Sequence, residues 1–462
     1  MCGIFGVQGV PGAASFVHLG LYSLQHRGQE SAGIVAIDDD GTARVARKMG
    51  LVSDGFDEAT VGSLDGSLAI GHTRYSTAGS STIDNAQPVL VRFRGGHIAL
   101  AHNGNLTNAT ELRHELENEG SIFSSTMDSE VLVHRLAKSS AEAPEAKLAE
   151  ALQGVEGAYS LLVVIGNTLL AARDPRGWRP LVIGRTADGA YVAASETCAL
   201  DIVGATVERE VEAGEIVAFD GSGLRSLKPF DRMELRRCVF EYVYFSRPDS
   251  RVFGGSVDRA RRALGRRLAQ ECPAPSAELV FSVPDSSNSA ALGFAEQSGI
   301  PLELALIRNH YVGRTFIEPH QSVRDFGVRL KLNPVRSLLE GKRVVLIDDS
   351  IVRGTTSRKI VRMIRSAGAK QVHMRISCPP TVSPCFYGVD TPSKSQLIAA
   401  NKTIEEIREY IGADSLSYLS IDGLKKACGE GEKTTYCTAC YTGKYPTNWV
   451  DIGDIQPAVV KA

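Results

Sequence analysis

Cys2 raises the first chemical question of this sequence. Loss of Met1 would leave it with a free α-amino group beside its thiol, and an amine of reference pKa about 7.7–8.0 can take the thiol proton near neutral pH. Nucleophile and base then come from one residue, with no histidine required. The plain alternative is a small apolar residue opening a strand. Three segments further on place polar groups just beyond apolar runs: His26-Arg27-Gly28, Gly71-His72-Thr73-Arg74-Tyr75 and His102-Asn103-Gly104-Asn105. Amide hydrolysis by a thiolate needs donors aimed at the oxygen that turns negative, and a side-chain amide next to a glycine N–H, as in Asn103-Gly104, can supply two. The same pair also reads as an ordinary hairpin turn. An α-amino-acid substrate needs a cation for its carboxylate and an anion for its ammonium. Arg74 and Asp128 are of those types, arginine because its planar fork matches a carboxylate.

A second chemistry is written between Val344 and Ser357. The apolar run Val344-Val345-Leu346-Ile347 ends in Asp348-Asp349, and Ser350-Ile351-Val352-Arg353-Gly354-Thr355-Thr356-Ser357 follows. Arg353 to Ser357 can present backbone N–H groups and hydroxyls at the start of a helix, which favours an anion. The paired aspartates suit ribose hydroxyls and, directly or through water, a magnesium ion. There is no G-x-x-x-x-G-K-[ST], so this is not a P-loop, and no GxGxxG follows a strand. The competing reading is a solvated acidic turn before a capped helix.

Nine cysteines stand at 2, 198, 238, 272, 378, 385, 428, 437 and 440. An odd, scattered set in a long chain without a signal segment does not form a disulfide framework. Cys437-Thr-Ala-Cys440 joined by two further thiolates would make a tetrathiolate site, and the residues alone leave zinc and an iron–sulfur cluster equally open.

These groups need elements to hold them. Short apolar stretches at 4–9, 33–37, 68–72, 97–102, 159–166, 180–184 and 189–194, bounded by Gly, Asp or Arg, predict strands. A helix is predicted at 107–119, with Leu112 and Leu116 four apart. This is a β-rich layered domain with helices outside. After the polar, proline-bearing segment Leu227–Arg232 the pattern becomes strictly alternating. Strands are expected at 278–283, 303–307, 343–347 and 371–376, with helices at 257–270, 288–298 and 356–367. That order implies a parallel sheet with its ligand site at the strands' C-terminal ends. Thr403-Ile404-Glu405-Glu406 predicts a capping box, its helix ending at Gly412. Two domains follow, 2–230 and 231–462.

The whole chain has 462 residues and a net charge of -2, with 43% hydrophobic and 23% charged residues, so extended disorder is excluded and no charge excess favours nucleic acid or membrane as a partner. No apolar run approaches the roughly 20 residues a membrane helix needs. The start carries no secretory or transit signature, and a cytoplasmic location is expected.

Met1-Cys2-Gly3-Ile4-Phe5-Gly6, His26-Arg27-Gly28, Gly71-His72-Thr73-Arg74 and His102-Asn103-Gly104-Asn105 together resemble the glutamine amidotransferase domain of the N-terminal-nucleophile class. The resemblance implies an αββα sandwich in which Cys2 attacks the glutamine side-chain amide. Asn103 and the Gly104 N–H would form the oxyanion hole, Arg74 and Asp128 would hold the α-carboxylate and α-ammonium, and Arg27 and Gly28 would shape the pocket. Residues 344–357 resemble the phosphoribosyl pyrophosphate signature of type I phosphoribosyltransferases. The combination, with Glu241–Ser250, Val283–Ser287 and Arg308–Ile317, resembles the amidophosphoribosyltransferase family, which opens de novo purine synthesis.

That resemblance implies an α+β domain followed by an α/β phosphoribosyltransferase domain with C-terminal helices. It places Asp285, Ser286 and Ser287 on the pyrophosphate side and Ser286, Asp348 and Asp349 around magnesium. Arg353, Gly354, Thr355, Thr356 and Ser357 complete the phosphoribosyl pyrophosphate site, and 308–333, with Arg314, Lys331 and Asn333, would close over the substrate. In the family's iron–sulfur branch a structural [4Fe–4S] cluster is held by cysteines that map onto Cys238, Cys385, Cys437 and Cys440. Cys378, seven residues from Cys385, is the alternative ligand. That branch commonly has a propeptide, whereas here removal of Met1 alone is expected to mature Cys2. Feedback by purine nucleotides and a homotetramer are implied as well. An asparagine synthetase would carry S-G-G-x-D-S, which is absent, and a glucosamine-phosphate synthase would carry sugar-isomerase domains instead of Asp348-Asp349. A non-catalytic phosphoribosyl pyrophosphate sensor would pair its fold with a DNA-binding domain, where this chain has the nucleophile-bearing one.

Overall fold

The computed structural model describes residues 1–76, 80–311, 331–429, 431 and 435–447. Arg314 and most of the 308–333 segment lie outside them. The first half contributes β1 (Gly3–Gln8), β2 (Ser31–Ile37), β3 (Ala43–Met49), β4 (Leu68–Arg74), β5 (Val89–Phe93), β6 (Gly96–Leu106), β7 (Gly157–Ile165), β8 (Thr168–Arg173), β9 (Val182–Arg185), β10 (Tyr191–Ala194), β11 (Thr206–Glu210), β12 (Ile216–Asp220) and β13 (Gly223–Leu227). They form two antiparallel sheets, in the orders β11-β9-β10-β1-β4-β2-β3 and β13-β12-β8-β7-β6-β5.

Alternation along each strand decides the layering. Ile4, Val35 and Ile70 point between the sheets and meet Ala101, Leu162, Leu169 and Val217. Their neighbours Phe5, Val7, Ile34 and Ala69 point outward onto Val17 and Leu21 of helix Ala13–Ser23. On the far side Leu161 and Val163 meet Leu112, Leu132 and Leu148 of helices Ala109–Asn118, Glu130–Lys138 and Pro144–Ala151. The result is the expected αββα sandwich.

The second half adds β14 (Arg237–Cys238), a hairpin of β15 (Arg251–Val252) and β16 (Gly255–Ser256), then β17 (Leu279–Ser282), β18 (Leu306–Arg308), β19 (Leu332–Pro334), β20 (Arg343–Asp348), β21 (Gln371–Ile376), β22 (Ser415–Tyr418) and β23 (Tyr436–Cys437). A four-stranded sheet in the order β17-β20-β21-β22 is parallel throughout. Helices Val257–Glu271, Asn288–Ser298 and Thr355–Ser366 supply the crossovers and covers. Val344 to Ile347 are fully buried, as a central parallel strand requires. Helix Ile404–Ile411 opens on the Thr403–Glu406 capping box and ends at Gly412, φ +77°.

One strand departs from expectation. The 303–307 run does not join the parallel sheet: only Leu302 bridges Val280, and β18 then pairs antiparallel with β19. Glu303 and Leu304 are exposed, so the run lacks the continuous apolar faces of a buried strand. The fourth parallel strand is instead β22, whose Ser-Leu-Ser-Tyr carries too little apolar signal to stand out. No helix among the described residues is long and apolar enough to cross a membrane.

Candidate active site

β1 and β4 lie side by side with Gly3 opposite Thr73, so Cys2 and Arg74-Tyr75 emerge at one edge of the first sheet. The Cys2 thiol donates to the Tyr75 carbonyl at 3.6 Å, and the Cys2 N–H donates to Asn103 Oδ1 at 3.3 Å. Asn103 arrives from β6 of the facing sheet and is fully buried. Its Nδ2 has no hydrogen-bond partner among the described residues. A buried unpaired donor costs about 1–3 kcal/mol, and an oxyanion is the kind of ligand that would offset it. Gly104, at φ +155°, leaves no space for a side chain: a Cβ there would stand 1.9 Å from the Ala158 carbonyl oxygen.

Asp128 accepts from the Leu106 and Ser129 N–H groups at 2.9 and 2.8 Å, and lies 3.7 Å from Nδ1 of buried His102. Burial pushes the Asp128 carboxyl up, but the facing imidazole and the two N–H groups outweigh it and hold it below the usual range. His102 is correspondingly raised, the Asp128 charge overcoming burial. Arg74 is nearly buried, donating to the Ser80 carbonyl at 3.0 Å with Glu30 at 3.8 Å.

Arg27 works from behind the nucleophile. Its Nε donates to the Cys2 carbonyl at 2.9 Å, and its other nitrogens reach Glu196 at 2.5 Å and Glu241 at 2.8 Å, all without solvent exposure. Burial disfavours that charge, yet the two glutamates raise its pKa overall. Gly28 serves a close approach, since a Cβ there would meet the Arg74 carbonyl carbon at 2.6 Å. Both residues therefore set the geometry of Cys2 and Arg74 through the backbone. Met1 is buried against Cys238 and Val389, and its amino group is pushed down to about 6 by burial.

At the C-terminal end of β20, Asp349 accepts from Ser286 and Ser350 hydroxyls, each at 2.7 Å, and Asp348 from Ser287 at 3.4 Å. Both carboxyls are pushed up by burial, Asp348 further by the Asp349 charge. Helix Thr355–Ser366 starts at Gly354, φ +75°, with no side-chain cap on its first N–H groups, which leaves them for an anion. A cavity of about 450 Å³ runs from Ser286 and Asp348–Ser357 past Tyr244 and Phe245 to Cys238, Cys385, Cys437 and Cys440, with His26 and Tyr75 on the side of the first half. Tyr75 thus touches both the cavity and Cys2. Asp285, paired with Arg308, does not line it, nor do Ser287 and Lys331. The Arg353 guanidinium donates to Gln396 at 2.7 Å.

β14 and β23 pair in parallel with Cys238 opposite Cys437, and Cys385 packs against the cluster of Met1, Cys238 and Val389 and, like Cys437, against that of Trp178, Tyr387 and Ala439. Cys378 is fully buried behind Cys440, its Sγ 3.2 Å from the Pro379 carbonyl, and does not line the cavity. Burial pushes the Cys238 thiol up to about 11, and Cys440 is raised by burial and by its four cysteine neighbours, Cys437, Cys385, Cys238 and Cys378. No three His, Cys, Asp or Glu side chains among the described residues converge on a single ion.

Sequence reasoning assigned no role to Glu241, Glu196 or Arg179. An acid inside the apolar run Glu241-Tyr242-Val243-Tyr244-Phe245 was the available signal, because a buried charge needs a partner.

The profile of the glutamine amidotransferase domain matches residues 72–201. An amidophosphoribosyltransferase of Bacillus subtilis is 51% identical over 451 residues, 96% of this chain and 94% of that protein. The solved B. subtilis glutamine phosphoribosylpyrophosphate amidotransferase, complexed with ADP and GMP, superposes with a TM-score of 0.91 at 49% identity, covering 98% of each chain. The chain belongs to the amidophosphoribosyltransferase family. A solved structure described as the allosteric regulatory enzyme of purine biosynthesis agrees, with a TM-score of 0.92 at 49% identity over 98% of this chain and 97% of that one. As a family member the chain is an enzyme of the pentosyltransferase class, with a glutamine amidotransferase first half and a parallel-sheet phosphoribosyltransferase second half.

Proposed function

We propose that this amidophosphoribosyltransferase releases ammonia from glutamine at Cys2 and uses it to displace pyrophosphate from phosphoribosyl pyrophosphate, giving 5-phosphoribosylamine, the first step of purine synthesis. The observation that carries the first half is the unpartnered Nδ2 of buried Asn103, a residue whose Oδ1 accepts from the Cys2 N–H. With Met1 removed, the Cys2 amine takes the thiol proton and the thiolate attacks the side-chain amide carbon. Asn103 Nδ2 and the Gly104 N–H take up the charge on the amide oxygen. Collapse expels ammonia once the amine has returned the proton, and water then frees glutamate from the thioester. Arg74 and Asp128 anchor the substrate's α-carboxylate and α-ammonium, Asp128 because it stays ionised.

At the second site the uncapped N–H groups of Thr355–Ser357 receive the 5-phosphate, and the β20 carboxylates the ribose hydroxyls. Asp285 to Ser287 lie on the pyrophosphate side, and Arg314 and Lys331 belong to the same proposal. Asp348, Asp349 and Ser286 form an oxygen donor set suited to a hard cation, which would relieve two buried carboxylates. Magnesium bound there would neutralise the departing pyrophosphate. Cys238, Cys385, Cys437 and Cys440 suit a [4Fe–4S] cluster, each thiolate serving a different iron, so four sulfurs around a cavity fit better than four aimed at one point. The cluster would be structural, joining β14 and β23 to the loop after β21, with oxygen sensing as its alternative role.

The two half-reactions are coupled, so glutaminase activity rises when phosphoribosyl pyrophosphate and magnesium are added. Purine nucleotides act as feedback inhibitors, a reading supported by the ADP and GMP in the B. subtilis structure. A homotetramer rests on family membership and is checked by light scattering. The deciding experiment follows glutamate and pyrophosphate together from both substrates with magnesium. Matched production that vanishes in Cys2→Ala, while ammonia still supports pyrophosphate release, is expected. Glutamate without pyrophosphate would remove the phosphoribosyl assignment, and glutaminase indifferent to phosphoribosyl pyrophosphate would remove the coupling.

A further inference from the structure

We infer that the loop Phe386–Asp390, from the half that carries the parallel sheet, is the back wall of the oxyanion hole, with Gly388 as a positioning residue for glutamine hydrolysis. The inference rests on reading Asn103 and Gly104 as that hole. Gly388 has φ +97°, and a Cβ built on it would stand 2.8–2.9 Å from the carbonyl carbon, Cα and oxygen of Gly104. Backbone therefore meets backbone, with no flexible side chain between them to absorb a change. Gly104 itself has no space for a side chain, because a Cβ on it would stand 1.9 Å from the Ala158 carbonyl oxygen of β7. Gly104 is therefore closely approached from each half of the molecule, by Gly388 and by Ala158.

The loop is fixed in that position at several points. Asn105 Nδ2 donates to the Phe386 carbonyl at 3.0 Å, and Arg179 Nε donates to the Tyr387 carbonyl at 3.0 Å. The Tyr387 ring stacks on Trp178 with centroids 3.9 Å apart and planes at 22°. At the loop's base the Cys385 N–H donates to Thr391 at 2.7 Å. Every anchor on the first half lies beside the strands that deliver Asn103 and Gly104, so the loop's place and the hole's geometry are one constraint. A methyl group at 388 must displace Gly104 or lift the loop away from it.

An oxyanion donor acts on the transition state more than on the bound amide, so its displacement lowers kcat and leaves KM near its starting value. Loss of one donor costs about 10²–10³ in rate, and an ångström of misplacement about 10². Gly388→Ala is expected to reduce the glutamine-dependent kcat by about tenfold or more with KM changed by less than about threefold. Asn105→Ala removes the tether without adding bulk and should move kcat the same way by a smaller factor. Ammonia-dependent phosphoribosylamine formation should hold within about threefold in both variants, and alkylation of Cys2 by iodoacetamide should keep its rate, since the nucleophile is not part of the wall.

An unchanged glutamine-dependent kcat in Gly388→Ala, a rise in KM alone, or equal loss of glutamine- and ammonia-dependent rates would each overturn the inference. Cys2→Ala measured alongside separates the two readings. Persisting glutamine hydrolysis in Cys2→Ala removes the proposed glutamine site itself. A dead Cys2→Ala beside a fully active Gly388→Ala removes only the role of the wall.

Discussion

Glu241→Gln tests whether the halves are locked through charge. Glu241 is fully buried and accepts from Arg27 at 2.8 and 3.0 Å, from the Ser246 hydroxyl at 2.7 Å and from Arg179 at 3.4 Å. Burial disfavours its ionised form, but Arg27 more than compensates and its pKa falls below the usual carboxylate range, so it carries a full negative charge. Together with Arg27, Arg179 and Glu196 it makes a solvent-free set in which two positive charges balance two negative ones. The amide leaves one positive charge unbalanced and turns an N–H toward guanidinium donors. Removing one partner of a buried pair costs about 3–5 kcal/mol. In a cooperative unit of 150–250 residues each kcal/mol moves the midpoint by about 2–4 °C, so calorimetry should record a fall of about 6 °C or more. Arg27 also holds the Cys2 carbonyl, so well below the midpoint the glutamine-dependent rate should fall about tenfold while the ammonia-dependent rate is kept. A midpoint lowered by less than about 2 °C, or equal loss of both rates, would refute this reasoning.

Asn103→Ala removes a proposed oxyanion donor and should lower glutamine-dependent kcat by about 10²–10³, with ammonia-dependent turnover retained; a change confined to KM would count against the hole. The proposed [4Fe–4S] cluster should give the purified protein broad visible absorbance with bound iron and sulfide; Cys385→Ser should abolish them, whereas Cys378→Ser should leave them, and the opposite result reassigns the ligand. Burial holds the pKa of His72 down at about 3 against an ordinary 6.5, so below pH 6.5 the unfolded chain binds a proton there that the folded chain refuses. Its contribution to stability is therefore lost as pH falls from 6.5 toward 3, at up to about 1.4 kcal/mol per pH unit. Replacement by Gln should flatten the acid limb of the stability curve by about one proton, measured by denaturation between pH 6 and 4, and parallel curves would contradict it.

Much of the layering was legible because each strand's alternating residues have only one burial that satisfies them. Ile4 and Phe5 must go to opposite faces, and the structure puts them in different cores. Asp348 to Ser357 was legible for a different reason: acids ending a buried strand and glycine opening a helix leave few arrangements for the backbone between them. What stayed hidden involves groups without a distinctive side chain. Gly388 meets Gly104 through backbone atoms, Arg179 reaches the Tyr387 carbonyl, and Arg27 acts on the Cys2 carbonyl. A carbonyl oxygen has the same sequence signature at every residue, so no pattern of residue types marks these contacts. The 303–307 run misled because apolar content was read without the exposure of Glu303 and Leu304, which only the tertiary setting decides.

The hidden contacts all fall where the two halves meet, and that has a chemical reason. A glutaminase that works alone wastes its product, so the nucleophile's surroundings should depend on the part of the chain that consumes ammonia. Here they do so at two points. Glu241, three residues beyond Cys238, fixes Arg27 and through it the Cys2 carbonyl, and Gly388, three residues beyond Cys385, fixes Gly104. Each link starts beside a cysteine lining the cavity that reaches Asp348 and Asp349. A displacement of either cysteine is therefore transmitted over a few covalent bonds to the nucleophile on one side and to the oxyanion hole on the other. Interfaces built from fully buried ion pairs and glycine backbones adjust poorly to small shifts, because neither a dry charge nor a close-packed peptide has a nearby position of similar energy. The same stiffness that is expected to make Glu241 and Gly388 intolerant of substitution is the route by which the proposed coupling would carry the state of the second site to the first.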